Sequence, residues 1–308
     1  MNLPLPPSLR RGAITIGTFD GVHRGHASIL EQLRAAARSA GGPSIIVTFH
    51  PHPRSVVQPG EKLELLTPLE ERIKLLREAG IDEVVVTPFT PAFASMEAKD
   101  YIRDFLVHNF HPAAIVIGYD HRFGAGRRGN LELLAACAKK WNYTVSEIPA
   151  TLLSEAAISS TKIRTALRAG DIAKATEMMG RPYALEGTVV EGKKLGRTIG
   201  YPTANLQPIC TDQLIPAGGV YAVQVLEGNR ILAGGMLNIG RRPTVDVAGA
   251  PQTIEVHLLE GFSGDLYGRQ LRLLFAARLR DEQQFAGIEA LKEQLAKDAI
   301  AATQALAR

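Results

Sequence analysis

Apolar residues follow two different rhythms along the 308-residue chain. From Ala13 to about Pro149, short β-favouring runs alternate with stretches of helical periodicity. The runs are Ala13–Phe19, Ser44–Phe49, Glu83–Thr87, Ala113–Gly118 and Tyr143–Ile148; the helical patterns lie around Ala27–Ser39, Leu69–Ala79, Ala98–Asn109 and Leu131–Lys140. Such alternation predicts a parallel sheet with helices on both faces, with ligands bound beyond the carboxyl ends of the strands. After Arg181-Pro182 the rhythm becomes short alternating runs punctuated by glycine: Glu186–Val190, Gly219–Leu226, Arg230–Leu237, Thr253–Leu259 and Gln270–Leu279. Closely spaced runs with a hairpin loop at Glu227-Gly228-Asn229 predict an antiparallel barrel or sandwich. Ile288, Leu291, Leu295 and Ile300 recur at near-helical spacing and predict a last helix packed on it. The change of rhythm sets two domains, 1–182 and 183–308.

The first strand runs directly into Gly17-Thr18-Phe19-Asp20-Gly21-Val22-His23-Arg24-Gly25-His26. A strand-to-helix turn exposes unpaired N–H groups at the positive end of a helix dipole, which favours an anion. Gly21 and Gly25 allow close backbone approach. A helix starting near Val22 would put His23 and His26, at i and i+3, on one face, where both can donate to one phosphate group.

A second glycine pattern, Gly124-Ala125-Gly126-Arg127-Arg128-Gly129, matches GxGxxG and is followed by Glu147 at a strand end, as a dinucleotide fingerprint would be. However, Tyr119–Phe123 separate it from its strand, and two of its variable positions are arginines. It reads instead as a basic, mobile loop over a phosphate site.

Composition narrows the class without changing this picture. The chain is 45% hydrophobic and 21% charged, as in ordinary globular proteins, and no apolar run reaches the roughly 18 residues of a membrane span. Met1–Pro7 lacks the basic and apolar regions of a secretory signal, so a cytoplasmic location is expected. Cys137 and Cys210 stand in different halves, which argues against a disulfide framework or a cysteine metal site. The net charge of +4 is dispersed, with no aromatic-basic platform, so neither nucleic acid nor membrane is an expected partner.

Taken together the motifs resemble the bacterial bifunctional riboflavin kinase/FMN adenylyltransferases, or FAD synthetases. In the first half the resemblance rests on GTFDGVHRGH at 17–26, Thr48-Phe49-His50-Pro51-His52-Pro53, Gly118–Asn130 and Ile158–Arg164. In the second it rests on Gly187–Val190, Gly196–Asn205, Gly219-Val220-Tyr221, Asn238-Ile239-Gly240 with Pro243-Thr244, and Glu255-Val256-His257. It implies a Rossmann-like nucleotidyltransferase domain followed by an antiparallel riboflavin-kinase barrel with a terminal helix. Riboflavin, FMN, FAD and ATP would be its small-molecule partners, and Mg2+ its cofactor. The chain departs from the family at His121, usually an aromatic, and at Asn130, usually an acid.

The resemblance gives the first domain adenylyl transfer from ATP to FMN. The attacking phosphate is already ionised, so the reaction needs positioning and charge compensation more than a base. His23 and His26 are the catalytic candidates. Gly17, Thr18, Phe19, Asp20, Gly25, Asp120, Arg127, Ser159, Ser160, Thr161 and Arg164 are the ATP-binding candidates. The serines can equally cap a helix, Asp20 and Asp120 can merely fix turns, and His50 and His52 can be either flavin contacts or surface residues.

In the second domain no Walker loop occurs. Gly192, Gly196 and Gly200 nevertheless permit close approach to phosphates, and Lys193, Lys194 and Arg197 supply positive charge beside Pro202. Thr203 and Asn205, two apart on an extended strand, share a face and offer hard oxygens to magnesium. By the resemblance, Glu255 is the base that takes the proton of the ribityl 5′-hydroxyl, and Gly219, Val220, Tyr221 and Asn238 border the flavin. A monofunctional adenylyltransferase with a passive C-terminal half would not need Thr203, Asn205 and Glu255. A catalytically silent flavin-binding regulator would need neither those residues nor the histidine pair.

Overall fold

The computed structural model describes residues 6, 9–148, 158–192, 195–241, 252–259 and 264–307. Contacts divide the chain into two compact units, Met1–Ser160 and Thr161–Arg308. In the first, five parallel strands form a sheet ordered β3-β2-β1-β4-β5: β1 (Ala13–Ile16), β2 (Ser44–His50), β3 (Glu83–Pro88), β4 (Ala114–Gly118) and β5 (Thr144–Ile148). The order reverses between β1 and β4, which opens a crevice beyond their carboxyl ends, and the Gly17–His26 turn leaves β1 at that edge.

Strands covered on both faces must be apolar throughout, and Ile14, Ile45, Ile46 and Val47 are fully buried. Alternate residues go to opposite faces. Ile14, Ile16, Ile45 and Val47 therefore join Phe93, Phe105 and Phe110 in one core, while Ala13, Ile46 and Val84 meet Leu30, Leu33 and Ala37 in the other. The last three lie on α1 (Ala27–Ala40), which ends where Gly41 turns left-handed at φ 64°. The helices expected near 69–79 and 131–140 form as α2 (Leu69–Glu78) and α3 (Leu131–Trp141). The segment expected as a helix over 98–109 is irregular: Tyr101–Val107 is wound as a π-helix between single α-turns. The Asn109 side-chain amide donates to the carbonyls of Asp104 (3.0 Å) and Phe105 (2.8 Å), taking up acceptors of that irregular turn.

The second unit is a closed antiparallel barrel ordered β10-β7-β6-β11-β8-β9. Its strands are β6 (Ala184–Val190), β7 (Thr203–Pro208), β8 (Gly219–Glu227), β9 (Arg230–Arg241), β10 (Gln252–Leu258) and β11 (Gln270–Arg280). Leu185, Val189, Val223, Val225, Leu237, Ile239, Ile254, Val256, Leu271, Leu273 and Phe275 are buried, the inward half of the alternation read from the sequence. The expected hairpin is present, with Glu227 paired to Arg230 across a two-residue turn. Two helices, α4 (Ser160–Arg168) and α5 (Ile172–Met179), precede the barrel; the Ala217 N–H donates to the Leu167 carbonyl at 3.0 Å, and α5 lies against β11.

The terminal helix, α6 (Ile288–Leu306), packs on the barrel with a different face from the one its isoleucines predict. Ile288 and Ile300 are 60% and 61% exposed, whereas Ala302 and Asp298 are buried. Small Ala299, Ala302 and Ala305 let the helix come close to Ala222 and Met236. Asp298 accepts two-pronged hydrogen bonds from Arg280 (Nε 3.0 Å, Nη2 2.8 Å) and a third from Gln294 (2.8 Å). A polar anchor thus sets the phase that an apolar stripe usually sets. Asp298→Ala strands the Arg280 guanidinium and should destabilise the barrel by about 3–5 kcal/mol, measurable by urea unfolding.

Candidate active sites

The signature turn brings its two histidines together by a route other than one helix face. No helix starts at Val22. His23 is extended (φ −89°, ψ 171°), Arg24–His26 form a 3-10 turn, and α1 begins only at Ala27. Left-handed backbone at Phe19 (φ 49°), Gly21 (φ 88°) and Val22 (φ 37°) is incompatible with a helix there. The His23 and His26 rings nevertheless stack, with centroids 3.8 Å apart and planes 19° apart, and the His23 N–H donates to His26 Nδ1 at 3.3 Å. Phe19, itself buried, packs on the His26 ring at 5.1 Å. Gly25 is required by space: a Cβ there would lie 2.8 Å from the Ile158 carbonyl and 3.0 Å from the His23 ring.

Ser160 ties this pair to the turn. Its hydroxyl donates to the Asp20 carbonyl (3.0 Å) and lies 3.2 Å from His23 Nε2. A hydroxyl has one proton to give, so His23 Nε2–H is the donor in the second contact. Asp20 is buried, and its carboxylate accepts from the N–H groups of Leu66 and Thr67, while the Gly21 N–H donates to Thr67 Oγ1. Of the two roles open to Asp20, these contacts belong to fixing the turn. The Thr18 carbonyl accepts from Arg72 Nη1 at 2.8 Å and Thr48 Oγ1 at 3.3 Å. In the sequence Arg72 reads as surface charge beside Glu70 and Glu71, with little sign of this role. Its only signal is its spacing of four from buried Leu76 on α2.

Other candidates lie further out. Ser159 and Thr161 are exposed and Arg164 is half-buried at the start of α4. Asp120 is exposed in the turn after β4, and Arg127, left-handed at φ 59°, is exposed in a loop closed by paired backbone bonds between Phe123 and Gly129. His121 stacks on Phe123 at 5.9 Å, and burial pushes its imidazole down to about 4. Asn130, where the family usually has an acid, caps α3 by accepting from the Leu133 N–H at 3.0 Å, a task either residue type performs. His52 accepts from the Arg54 N–H at 3.2 Å, a local cap, and His50 is exposed.

The barrel carries the second group on its outer face. Strand register sets Glu255 directly opposite Asn205 on one side and Asn238 on the other. Paired residues point to the same face, so the three form one row across β7, β10 and β9. His257 and Thr203 pair two positions along that face, and His257 Nδ1 lies 2.8 Å from the Pro202 carbonyl. Among the described residues the Glu255 carboxylate makes no hydrogen bond or ion pair. Beside this row is a cavity of about 410 Å³ lined by Arg197, Gly200, Pro202, Thr203, His257 and Tyr267. A side chain at Gly192 would collide with the Asn205 amide, and one at Gly196 with the Tyr201 carbonyl, so both glycines serve close approach. Lys193 and Lys194, with Pro243 and Thr244, lie outside the described residues.

Val220 pairs with Asn238 and shares its face, with Gly219 preceding it in a left-handed conformation (φ 146°). Tyr221 points the other way, its ring fully buried in the barrel 5.3 Å from Phe275. Among the described residues no three His, Cys, Asp or Glu side chains come together. The hard neutral oxygens of Thr203 and Asn205 suit a magnesium ion that takes most of its ligands from phosphates and water.

Comparison with known proteins finds a separate family for each half of the chain. The FAD synthetase family model matches residues 5–162, and the riboflavin kinase family model matches residues 179–306. Bifunctional riboflavin kinase/FMN adenylyltransferases from Escherichia coli and Pseudomonas fluorescens are each 39% identical to the chain, over 94% and 98% of it and 91% and 95% of their own lengths. The crystal structure of a macrolide-efflux protein from Streptococcus pneumoniae superposes with a TM-score of 0.84 at 28% identity, covering 97% of this chain and 95% of that one. No helix among the described residues is long and apolar enough to cross a membrane. On the two family matches and the near full-length relatives, the chain belongs to the bifunctional riboflavin kinase/FMN adenylyltransferase family, enzymes that make FMN from riboflavin and FAD from FMN.

Proposed function

We propose that the family's two activities are divided between residues 1–182, which adenylylate FMN, and residues 183–308, which phosphorylate riboflavin. ATP is the donor in both reactions. In the first, an ionised oxygen of the FMN phosphate attacks the α-phosphorus of ATP, the bond to the β-phosphate oxygen breaks, and pyrophosphate leaves. His23 and His26 donate to the phosphates as charge shifts onto the leaving group, aided by the backbone N–H groups of Thr18 and Phe19. The stacked pair, with His23 buried beside Ser160 at the sheet edge where the strand order reverses, is the observation that supports this reading. Arg127, Thr161 and Arg164 complete the ATP contacts in the reading carried over from the family.

In the second reaction Glu255 accepts the proton of the riboflavin 5′-hydroxyl as that oxygen attacks the γ-phosphorus, and ADP leaves. A carboxylate between Asn205 and Asn238 that has no hydrogen bond or ion pair among the described residues supports this assignment. Thr203 and Asn205 hold Mg2+, which supplies compensation of phosphate charge. Gly192, Gly196, Gly200 and Arg197 border the nucleotide; Gly219, Val220 and Asn238 border the flavin. The two free cysteines, one in each unit, favour cytoplasmic residence.

Incubating the protein with riboflavin, ATP and magnesium and separating flavins by chromatography should show FMN, then FAD. Appearance of neither defeats the proposal. A fragment from Tyr183 onward should make FMN and no FAD. A longer fragment from Thr161 should do the same with a higher melting temperature, because Ile163, Leu167, Ile172 and Ala175 of α4 and α5 are buried and the contacts assign these helices to the barrel unit. Equal melting temperatures would show that the two helices add nothing to the barrel.

A further inference from the structure

Arg72 is a buried cation without an ordinary structural purpose. Its side chain enters from α2, the residue is 2% exposed, and its guanidinium makes a hydrogen bond from Nη1 to the Thr18 carbonyl at 2.8 Å. Among the described residues its buried Nε has no hydrogen-bond partner, and Asp20, the acid with the largest electrostatic effect on it, directs its carboxylate to the backbone N–H groups of Leu66 and Thr67. Burial lowers the guanidinium pKa, with Asp20 and Glu70 acting in the opposite direction. A desolvated charge with incomplete pairing is costly, and an apolar side chain of similar volume would fill the same space more cheaply.

The hydrogen bond that Arg72 makes to the Thr18 carbonyl fixes a peptide plane. In a trans peptide the C=O and the following N–H point in opposite directions. With the Thr18 carbonyl held by Arg72 and, at 3.3 Å, by Thr48 Oγ1, the Phe19 N–H is turned to the other side. Among the described residues no hydrogen bond uses that N–H. Phe19 itself is left-handed at φ 49°, a conformation that a bulky residue keeps only when its surroundings enforce it.

We propose that Arg72 is a positioning residue for adenylyl transfer: it holds the Thr18–Phe19 peptide so that the Phe19 N–H is presented to the nucleotide phosphates, and its buried charge adds to the positive potential under them. This rests on the assignment of that reaction to the turn bearing His23 and His26.

The test uses the full chain, whose kinase activity reports on the rest of the protein. Arg72→Met keeps the length and bulk of the stem but loses the donor and the charge. Misplacement of a reacting group by about 1 Å costs roughly 10²-fold. The variant should therefore lose roughly 10²-fold in kcat/KM for ATP in FMN adenylylation and bind inorganic pyrophosphate more weakly as a product inhibitor. Its KM for FMN and its riboflavin phosphorylation should stay within twofold of wild type. Arg72→Lys, whose ammonium can reach the same carbonyl, should recover at least tenfold of the loss. FAD formation by Arg72→Met within threefold of wild type, a parallel fall in kinase activity, or an Arg72→Lys variant no better than Arg72→Met would each overturn the proposal. A His23→Ala/His26→Ala variant assayed alongside separates the two levels of inference. If it still makes FAD, the site assignment fails; if it does not while Arg72→Met is active, only the role of Arg72 fails.

Discussion

The His23→Ala/His26→Ala double variant should make FMN from riboflavin at the wild-type rate and accumulate it, with FAD formation reduced by at least about 10²–10³-fold, the cost of removing even one preorganised donor from a developing anion. Liquid chromatography of the flavins reads both reactions in one sample. The two side chains act as a unit: the rings stack at 3.8 Å, and His26 Nδ1 accepts the His23 N–H, so either single variant disturbs the partner as well. Single variants should accordingly lose nearly as much as the double, a non-additivity expected of groups that share one task. A double variant that makes FAD at near wild-type rate would leave the stack as a device for closing the turn over Gly25. Loss of FMN formation in the same variant would mean that the damage extends beyond the first unit.

That turn also marks where the sequence is readable and where it is not. Strands β1, β2 and β4 announce themselves because both their faces are covered, so every residue from Ile45 to Val47 must be apolar. The barrel is readable for the complementary reason: one face of each strand looks inward, and period-two alternation such as Ile254, Val256 and Leu258 survives in the sequence. The absence of a helix start at Val22 is not legible because the positive φ values at Phe19 and Val22 belong to residues that normally avoid them. They are imposed by contacts from far along the chain, such as Thr67 and Arg72. No local pattern records a bond between residues 46 or 54 apart. The phase of the terminal helix is hidden for a related reason. Asp298 looks like a solvent-facing residue until Arg280, on a strand 18 residues earlier, turns it into the anchor of the buried face. In the kinase group, by contrast, the period-two spacing of Thr203 with Asn205 and of Glu255 with His257 already carried the arrangement. The sequence lacked only the register that sets Glu255 between two asparagines.

Glu255→Gln is the sharpest test of that register. The amide keeps the shape and the cross-strand contacts with Asn205 and Asn238, and it removes only the ability to take a proton. General-base catalysis is worth roughly 10²–10⁴-fold, so riboflavin phosphorylation should fall by about that factor. Supplied FMN should still be converted to FAD at the wild-type rate, because the adenylylation candidates His23 and His26 lie on the other unit. Affinity for ATP in the kinase reaction should change little, since the cation is assigned to Thr203 and Asn205. The barrel should melt at the wild-type temperature, because among the described residues the carboxylate has no hydrogen bond or ion pair to lose. This last expectation separates a catalytic carboxylate from a structural one. A base held ready for a substrate proton costs the fold nothing when neutralised, whereas a carboxylate that supports the strand row would lower the melting temperature along with the rate. Kinase turnover within a few-fold of wild type would remove Glu255 from the mechanism, and joint loss of both activities would return it to the fold.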